Sequence, residues 1–93
     1  MKVLVEVYAT LYDKLGWRSK EVNFNSNEVS LEDLIKSIPD LYNTLINDLG
    51  DLTELINNYI VFINGIHAQF KNGLKTVLRD GDKVAIFPPV AGG

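Results

Sequence analysis

The stretch that decides the fold lies near the end of the chain, where residues 80–89 have the sequence DGDKVAIFPP. Asp80-Gly81 is typical of a tight turn, because Asp favours turns and Gly supplies a positive φ. The alternating apolar residues that follow predict a strand over residues 83–87. Pro88 and Pro89 end this strand, since proline has no N–H to donate to a sheet. The rest of the chain must therefore supply the sheet that this strand joins.

Four further segments have strand-like patterns, and two of them flank the strong turn signal Asn64-Gly65. A loop or short helical turn around Gly16 separates the two segments nearest the N-terminus. With the final strand, the predicted strands cover residues 2–9, 19–24, 59–63, 66–70 and 83–87.

The helical part of the chain lies between the second and third strands. A start resembling a capping box at Ser30, followed by apolar residues at helical spacing, predicts a helix. Pro39 ends this helix or opens another, because proline is excluded from a helix interior. A second amphipathic helix is predicted over residues 41–49, followed by one more turn over residues 52–56.

The order of elements is thus strand, strand, helix, strand, strand, strand and a short tail. One main helix packed across one mixed sheet gives a two-layer α+β domain. The β-grasp, or ubiquitin-like, fold has this order, with its first and last strands parallel at the centre of the sheet. We therefore expect a β-grasp domain over residues 1–87 and a flexible C-terminal Gly-Gly tail over residues 88–93.

The composition excludes most of the machinery of a self-sufficient enzyme. The chain has 93 residues, no cysteine and one histidine, which rules out disulfides, thiolate metal sites, a cysteine nucleophile and a multi-histidine metal site within one chain. A formal net charge of −3 does not fit a nucleic-acid-binding surface. Glu6 interrupts an N-terminal apolar run that is too short for a signal peptide or a membrane span, so we expect a cytoplasmic protein.

The tail is the feature that points to a function. Residues 88–93 have the sequence PPVAGG; the prolines stiffen the exit from the sheet, and Gly92 and Gly93 carry no side chain to obstruct a narrow channel. Six extended residues reach about 20 Å, which would carry a terminal carboxylate clear of the domain. On residue types alone, however, an ordinary frayed terminus is the simpler interpretation.

The spacing DGD-x-VA-x-FPPV-x-GG over residues 80–93, together with Asn64-Gly65 and Leu78, adds a specific signal. In this pattern the chain resembles the ubiquitin-like sulfur carriers, and most of all the MoaD-type small subunits of molybdopterin synthase. The helical stretch over residues 41–58 departs from the short bacterial carriers. It resembles longer archaeal-type relatives, some of which also act as protein modifiers.

This resemblance implies a co-substrate that is not catalytic alone. A ubiquitin-activating-like partner enzyme would adenylate the carboxylate of Gly93 with ATP, and a sulfur donor would displace AMP to leave a thiocarboxylate. The tail would then enter the large subunit of molybdopterin synthase and give its sulfur to a pyranopterin precursor. The chain itself would bind no cofactor, metal, nucleic acid or membrane. The residues expected to enter the partner are Pro88, Pro89, Val90, Ala91, Gly92 and Gly93.

Docking of these partners is expected on the outer face of the sheet. If Val84 and Ile86 face the helix, Ala85 and Phe87 face outward, and Leu4 of the neighbouring first strand joins them. Such an apolar patch beside the tail is a candidate docking surface. The alternative is the inverted alternation, in which Phe87 belongs to the core.

Other functions share the chemistry of this tail. A ubiquitin-like modifier would be joined through Gly93 to lysines of other proteins. A sulfur carrier for thiamine or tRNA thiolation would use the same Gly-Gly, although the FPPV sequence argues against it. An interaction domain with an inert tail is the simplest alternative.

Three sequence features that could suggest a site have ordinary interpretations. His67 has no neighbouring ligand pattern and is expected to be a surface or partly buried histidine. Asp80 and Asp82 are explained by turn formation. Trp17 is expected to cover one end of the core, with a cation–π contact to Arg18 or a place in an interface as the alternatives.

Overall fold

The computed structural model describes residues 1–89. Its strands and α-helices follow in the order β1 (Lys2–Val7), α1 (Ala9–Leu15), β2 (Ser19–Asn23), β3 (Val29–Ser30), α2 (Leu31–Lys36), α3 (Pro39–Leu49), α4 (Leu55–Asn58), β4 (Ile60–Ile63), β5 (Ile66–His67), β6 (Val77–Leu78) and β7 (Lys83–Phe87). Single 3₁₀ turns lie at Leu52–Glu54, Ala68–Phe70 and Gly73–Lys75.

The main sheet has five strands in the order β2-β1-β7-β4-β5. β1 and β7 run parallel, with Val5 opposite Val84, whereas the other neighbours are antiparallel. This mixed sheet with parallel first and last strands confirms the predicted β-grasp fold. It also places β7, the strand that precedes the tail, at the centre of the sheet.

The turn before β7 fixes the start of β1 as well. The carboxylate of Asp80 accepts a 2.8 Å hydrogen bond from the N–H of Lys2. Gly81, at φ 86°, donates its N–H to the Lys2 carbonyl over 2.8 Å, and its positive φ explains why glycine stands there. The carbonyl of Asp82 accepts a 3.0 Å hydrogen bond from the N–H of Leu4. The predicted turn therefore also holds the start of β1 against the start of β7.

The core lies between the inner face of this sheet and the helices. Alternate residues of β1, β4 and β7 are buried on that face, and apolar residues of α2 and α3 cover them. The buried strand residues are Val3, Val5, Val7, Val61, Ile63, Val84 and Ile86, and the helices contribute Leu31, Leu34, Ile35, Leu41 and Leu45.

The helical layer is built mainly from two consecutive helices, α2 and α3, which confirms the helix predicted to start at Ser30 and the second amphipathic helix predicted after Pro39. The hydroxyl of Ser30 accepts a 3.0 Å hydrogen bond from the N–H of Asp33, so the predicted cap is present. α2 ends at Lys36, and Pro39 occupies the first turn of α3, where its missing N–H costs nothing. Within residues 1–89, these helices are all too short or too polar to cross a membrane.

Two strand predictions were too long. β1 ends at Val7, and Ala9 already belongs to α1. β5 covers only Ile66–His67, because the His67 side chain accepts the N–H of Gln69 and starts a 3₁₀ turn. The two-residue strands β3 and β6, which pair in a separate small sheet, were not predicted.

Ala9 has a φ of 54°, which is unusual for a residue with a Cβ. Because only glycine adopts this region without steric cost, we expect Ala9→Gly to raise the free energy of unfolding by about 0.5–1 kcal/mol. Chemical denaturation will measure the change. Ala9→Val is the matched control and is expected to lower it, because a β-branched residue is less tolerated there. Equal stability of both variants would contradict a positive φ at this position.

Candidate functional site

The alternation predicted along β7 is present. Val84 and Ile86 are 0% exposed and face the helices, whereas Ala85 and Phe87 are half-buried on the opposite face. Phe87 therefore does not belong to the inner core. The strand that leads into the tail presents its last side chain on the outer face of the sheet.

Phe87 belongs to a row of five rings that crosses this outer face. Tyr8 stacks on Phe87 at 4.3 Å between ring centroids and 8° between ring planes. Phe62 meets Phe87 edge-on at 5.7 Å, and His67 meets Phe62 at 6.0 Å. Phe70 ends the row, 6.2 Å from His67 and 77% exposed. We call these five residues the outer aromatic row.

Two charged residues border this row next to the Tyr8 ring. One carboxylate oxygen of Glu6 accepts a 3.0 Å hydrogen bond from the Tyr8 hydroxyl and lies 3.2 Å from the Lys83 ammonium. Lys83 and then Tyr8 stabilise the carboxylate and lower the pKa of Glu6. The hydrogen bond to Glu6 likewise raises the pKa of the Tyr8 phenol. The Glu6 carboxylate therefore stays ionised and the Tyr8 hydroxyl stays protonated, which keeps the hydrogen bond between them.

A hollow of about 370 Å³ lies between the aromatic row and these charges. Its lining includes Ala85 beside the larger side chains of Tyr8, Phe62 and Phe87. A hollow of this size, with aromatic residues on one side and a carboxylate and an ammonium on the other, can receive a protruding side chain of another protein.

Leu4 shares the outer face but lies outside this hollow. Its cross-strand neighbours in register are Lys83 on one side and Glu21 on the other. It lines a separate depression with Lys2 and residues 80–82. The structure thus brings together Ala85 and Phe87 of the predicted patch and places Leu4 in polar surroundings.

Four members of the aromatic row were not among the predicted site residues. Phe62 could have been found, because Val61 and Ile63 point into the core and the residue between them must point outward. Tyr8 lies one residue beyond β1 and continues the outward alternation of Glu6, yet its contact with Phe87 depends on the register between two distant strands. For His67 and Phe70, no alternation of buried and exposed residues in the sequence indicated a place on the outer face.

The predicted tail falls mostly outside the described residues. Pro88 is half-buried and Pro89 exposed, and neither belongs to a strand. Val90, Ala91, Gly92 and Gly93 lie beyond residue 89, so their insertion into a partner stays a prediction.

The remaining candidate residues have structural partners. Asp82 accepts hydrogen bonds from the N–H of Arg79 at 2.8 Å and from the amide of Asn64 at 2.9 Å. No group of three metal-ligating side chains occurs among residues 1–89.

Trp17 packs against the edge of the core, as expected, and its indole donates a 2.8 Å hydrogen bond to Asp40. The cation over its ring is Lys20, at 4.6 Å, and not Arg18. Arg18 lies over Tyr12 instead.

Known sequences similar to this chain include a family profile and a relative that match nearly all of its length. The profile of the ThiS family matches residues 5–93. Small archaeal modifier protein 3 of Haloferax volcanii is 30% identical over 93 residues, which is 100% of both chains. Sulfur carrier protein CysO of Mycobacterium tuberculosis is 41% identical over 44 residues, 47% of this chain and 44% of that protein.

Among solved structures, SAMP1 of Haloferax volcanii has a TM-score of 0.79 and 26% identity over 100% of both chains. A chain of the Amycolatopsis orientalis BexX/CysO complex has a TM-score of 0.71 and 25% identity, covering 98% of this chain and 99% of that one. A chain of the Helicobacter pylori complex of molybdopterin-converting factor subunits 1 and 2 has a TM-score of 0.53 and 22% identity over 100% of both chains, a likeness of fold alone.

The Glu6 contacts predict a pH-dependent stability. Because the pKa of Glu6 is lowered in the folded state, its stabilising effect is complete above the ordinary value of 4.5 and is lost as pH falls through the lowered value. The difference in denaturation midpoint between the wild type and Glu6→Gln should therefore be constant at neutral pH and shrink as the pH falls below 4.5.

The same comparison is repeated in a protein that carries Lys83→Met, as a control. Since Lys83 is the largest cause of the lowered pKa, the pH dependence of the Glu6→Gln effect should be weaker in that background. A difference that does not vary with pH would show that the ion pair contributes nothing.

Proposed function

The chain belongs to the ThiS family of ubiquitin-like sulfur carriers, and on that premise we propose that it carries sulfur on the carboxyl carbon of Gly93. The observation that carries the proposal is the position of β7. This central strand ends at Phe87, beside the outer aromatic row, and the chain continues through Pro88 and Pro89 to the Gly-Gly sequence.

The fold supports this function by giving the tail a rigid base. β7 is hydrogen-bonded to β1 on one side and β4 on the other, and both of its buried residues are in the core. The two prolines prevent the following residues from joining the sheet. For a protein that binds the outer face, the start of the tail therefore has a fixed position.

The chemistry belongs to the tail carboxylate and to partner enzymes. A carboxylate oxygen of Gly93 attacks the α-phosphorus of ATP, and pyrophosphate leaves with the bonding electron pair of the broken P–O bond. A sulfur nucleophile at the oxidation level of hydrosulfide then attacks the carbonyl carbon, the bond to AMP breaks, and a thiocarboxylate remains. Glycine suits this position because a Cβ would crowd the nucleotide and the channel.

As the first choice of acceptor for the sulfur, we propose the pyranopterin precursor of molybdopterin. The sequence FPPV-x-GG over residues 87–93 supports this choice through its resemblance to the MoaD-type small subunits. The partner would be the large subunit of molybdopterin synthase, and the pyranopterin precursor would take the sulfur from the thiocarboxylate.

A second candidate function is protein modification. It is favoured by the match to small archaeal modifier protein 3, which extends over the whole of both chains. The same acyl adenylate would then pass to an amine, and Gly93 would be joined to a lysine of another protein. Both functions share the activation step and differ in the nucleophile that follows.

Intact mass measurement of the chain expressed in cells with its own activating enzymes separates these functions. A carrier is expected to show exchange of one oxygen for sulfur, and co-purification with the molybdopterin synthase large subunit supports the first choice of acceptor. A modifier is expected to form conjugates of higher mass. The unmodified mass alone would contradict both.

Gly93→Ala tests the role of the terminal residue. We expect a fold and stability unchanged from the wild type but at least a tenfold loss of thiocarboxylate formation, because a misplaced carboxylate reacts far more slowly. Circular dichroism and intact mass provide the two measurements. Normal thiocarboxylate formation by this variant, or by a chain lacking Gly93, would exclude the proposed chemistry.

Phe70→Ser tests whether partners dock on the outer aromatic row. Because Phe70 is 77% exposed, its loss should leave stability intact and weaken binding to the adenylating enzyme by about five- to tenfold. Val77→Ser is the matched control, since Val77 is 42% exposed but lies in the small sheet of β3 and β6. Calorimetry giving equal affinities for the two variants would place docking elsewhere.

A further inference from the structure

The end of β7 sets the direction in which the chain leaves the domain. Phe87 is the last residue of the sheet, paired with Ile60. Pro88 and Pro89 follow it, and neither has an N–H that could bind the sheet. The direction in which the chain leaves the domain therefore depends on how firmly Phe87 itself is held.

Tyr8 holds both the backbone and the side chain at this point. Its N–H donates a 3.2 Å hydrogen bond to the carbonyl of Ile86. Its ring lies parallel to that of Phe87 at 4.3 Å, while Phe62 contacts the Phe87 ring edge-on. The Phe87 ring is thus fixed between two others.

The Tyr8 ring is itself fixed by a short chain of polar contacts. Its hydroxyl donates to Glu6 over 3.0 Å, and the same carboxylate oxygen lies 3.2 Å from the Lys83 ammonium. Lys83 is the first residue of β7 and Phe87 the last. The contacts therefore begin and end on the strand that leads to the tail.

The backbone next to Tyr8 is strained. Ala9 has a φ of 54°, and α1 starts there. Ala9 directly follows Tyr8, whose ring lies on the outer face among the aromatic row. A residue held in a sparsely populated region, directly beside a side chain that contacts the tail base, suggests that this placement serves a function.

We propose that Tyr8 is a positioning residue, which fixes the direction of the chain beyond Phe87 so that the Gly93 carboxylate is aligned for attack on ATP. The inference rests on the proposed function and concerns its first step. In that step one oxygen–phosphorus bond forms at the α-phosphorus and one breaks as pyrophosphate leaves, with no change in oxidation state. Correct alignment of the two reacting atoms governs the rate of such a step.

Kinetics of ATP–pyrophosphate exchange with the adenylating enzyme test this role. With the concentration of the chain varied, the rates give kcat and the KM for the chain. Tyr8→Leu is expected to lower kcat about tenfold, whereas a residue that only contributes to docking would raise KM and leave kcat unchanged. A kcat for Tyr8→Leu within twofold of the wild type would overturn the proposal.

Tyr12→Leu is the matched control. Tyr12 is half-buried in α1 with the Arg18 guanidinium 4.7 Å from its ring centroid, and it is not part of the aromatic row. Its replacement should leave kcat unchanged. An equal fall in kcat for both tyrosine variants would show that the effect comes from a general loss of structure. This result would also overturn the proposal.

Two milder variants keep the test decisive if Tyr8→Leu does not fold. Tyr8→Phe and Glu6→Ala each remove the same hydrogen bond while keeping the stacked ring. Each should lower kcat about threefold, and the double variant should be no slower than either single one, because both act on one contact. Wild-type kcat in all three, or losses that multiply, would contradict the role of this bond.

The outcome also separates this inference from the function on which it rests. No exchange with the wild-type chain would refute activation of Gly93 and, with it, the role of Tyr8. Exchange with the wild type that is undiminished in the Tyr8 variants would refute the positioning role alone.

Discussion

The parallel pairing of β1 with β7 is the interaction on which the rest of the structure depends. It joins residues near the two ends of the chain, and its register decides which side chains of both strands face the helices. A shift of one residue would exchange the two faces of either strand. In the observed register, Val84 and Ile86 lie in the core and the ring of Phe87 stacks on that of Tyr8. One pairing therefore creates both the core and the outer aromatic row.

The features that were predictable from the sequence are those with local causes. The limits of β7 follow from the turn before it and the prolines after it, and the helix start at Ser30 follows from a side chain three residues from its partner. The stacking of Tyr8 on Phe87 has no local signal, because it depends on pairing across almost the whole chain. The short extent of β5 depends on a single hydrogen bond that the His67 side chain accepts from the N–H of Gln69, and no periodicity reveals it.

The helical stretch over residues 41–58 packs on the inner side of the sheet and contributes no residue to the hollow on the outer face. Two hydrogen bonds anchor α3 to the rest of the domain, one from the Trp17 indole to Asp40 and a 2.6 Å bond from the Tyr59 hydroxyl to Asp48. Burial, together with this bond, raises the pKa of Tyr59. In this chain the extra helical residues are thus separated by the sheet from the face beside the tail.

The central position of β7 has a consequence for synthesis of the protein. A ribosome makes this strand after every other element, and until it is released the sheet has a gap between β1 and β4. Closing that gap requires non-local pairing, which is slow compared with helix formation. An incomplete or prematurely ended chain lacks the middle of its own sheet. The strand that leads to the tail is thus in place only in a molecule whose main sheet is complete.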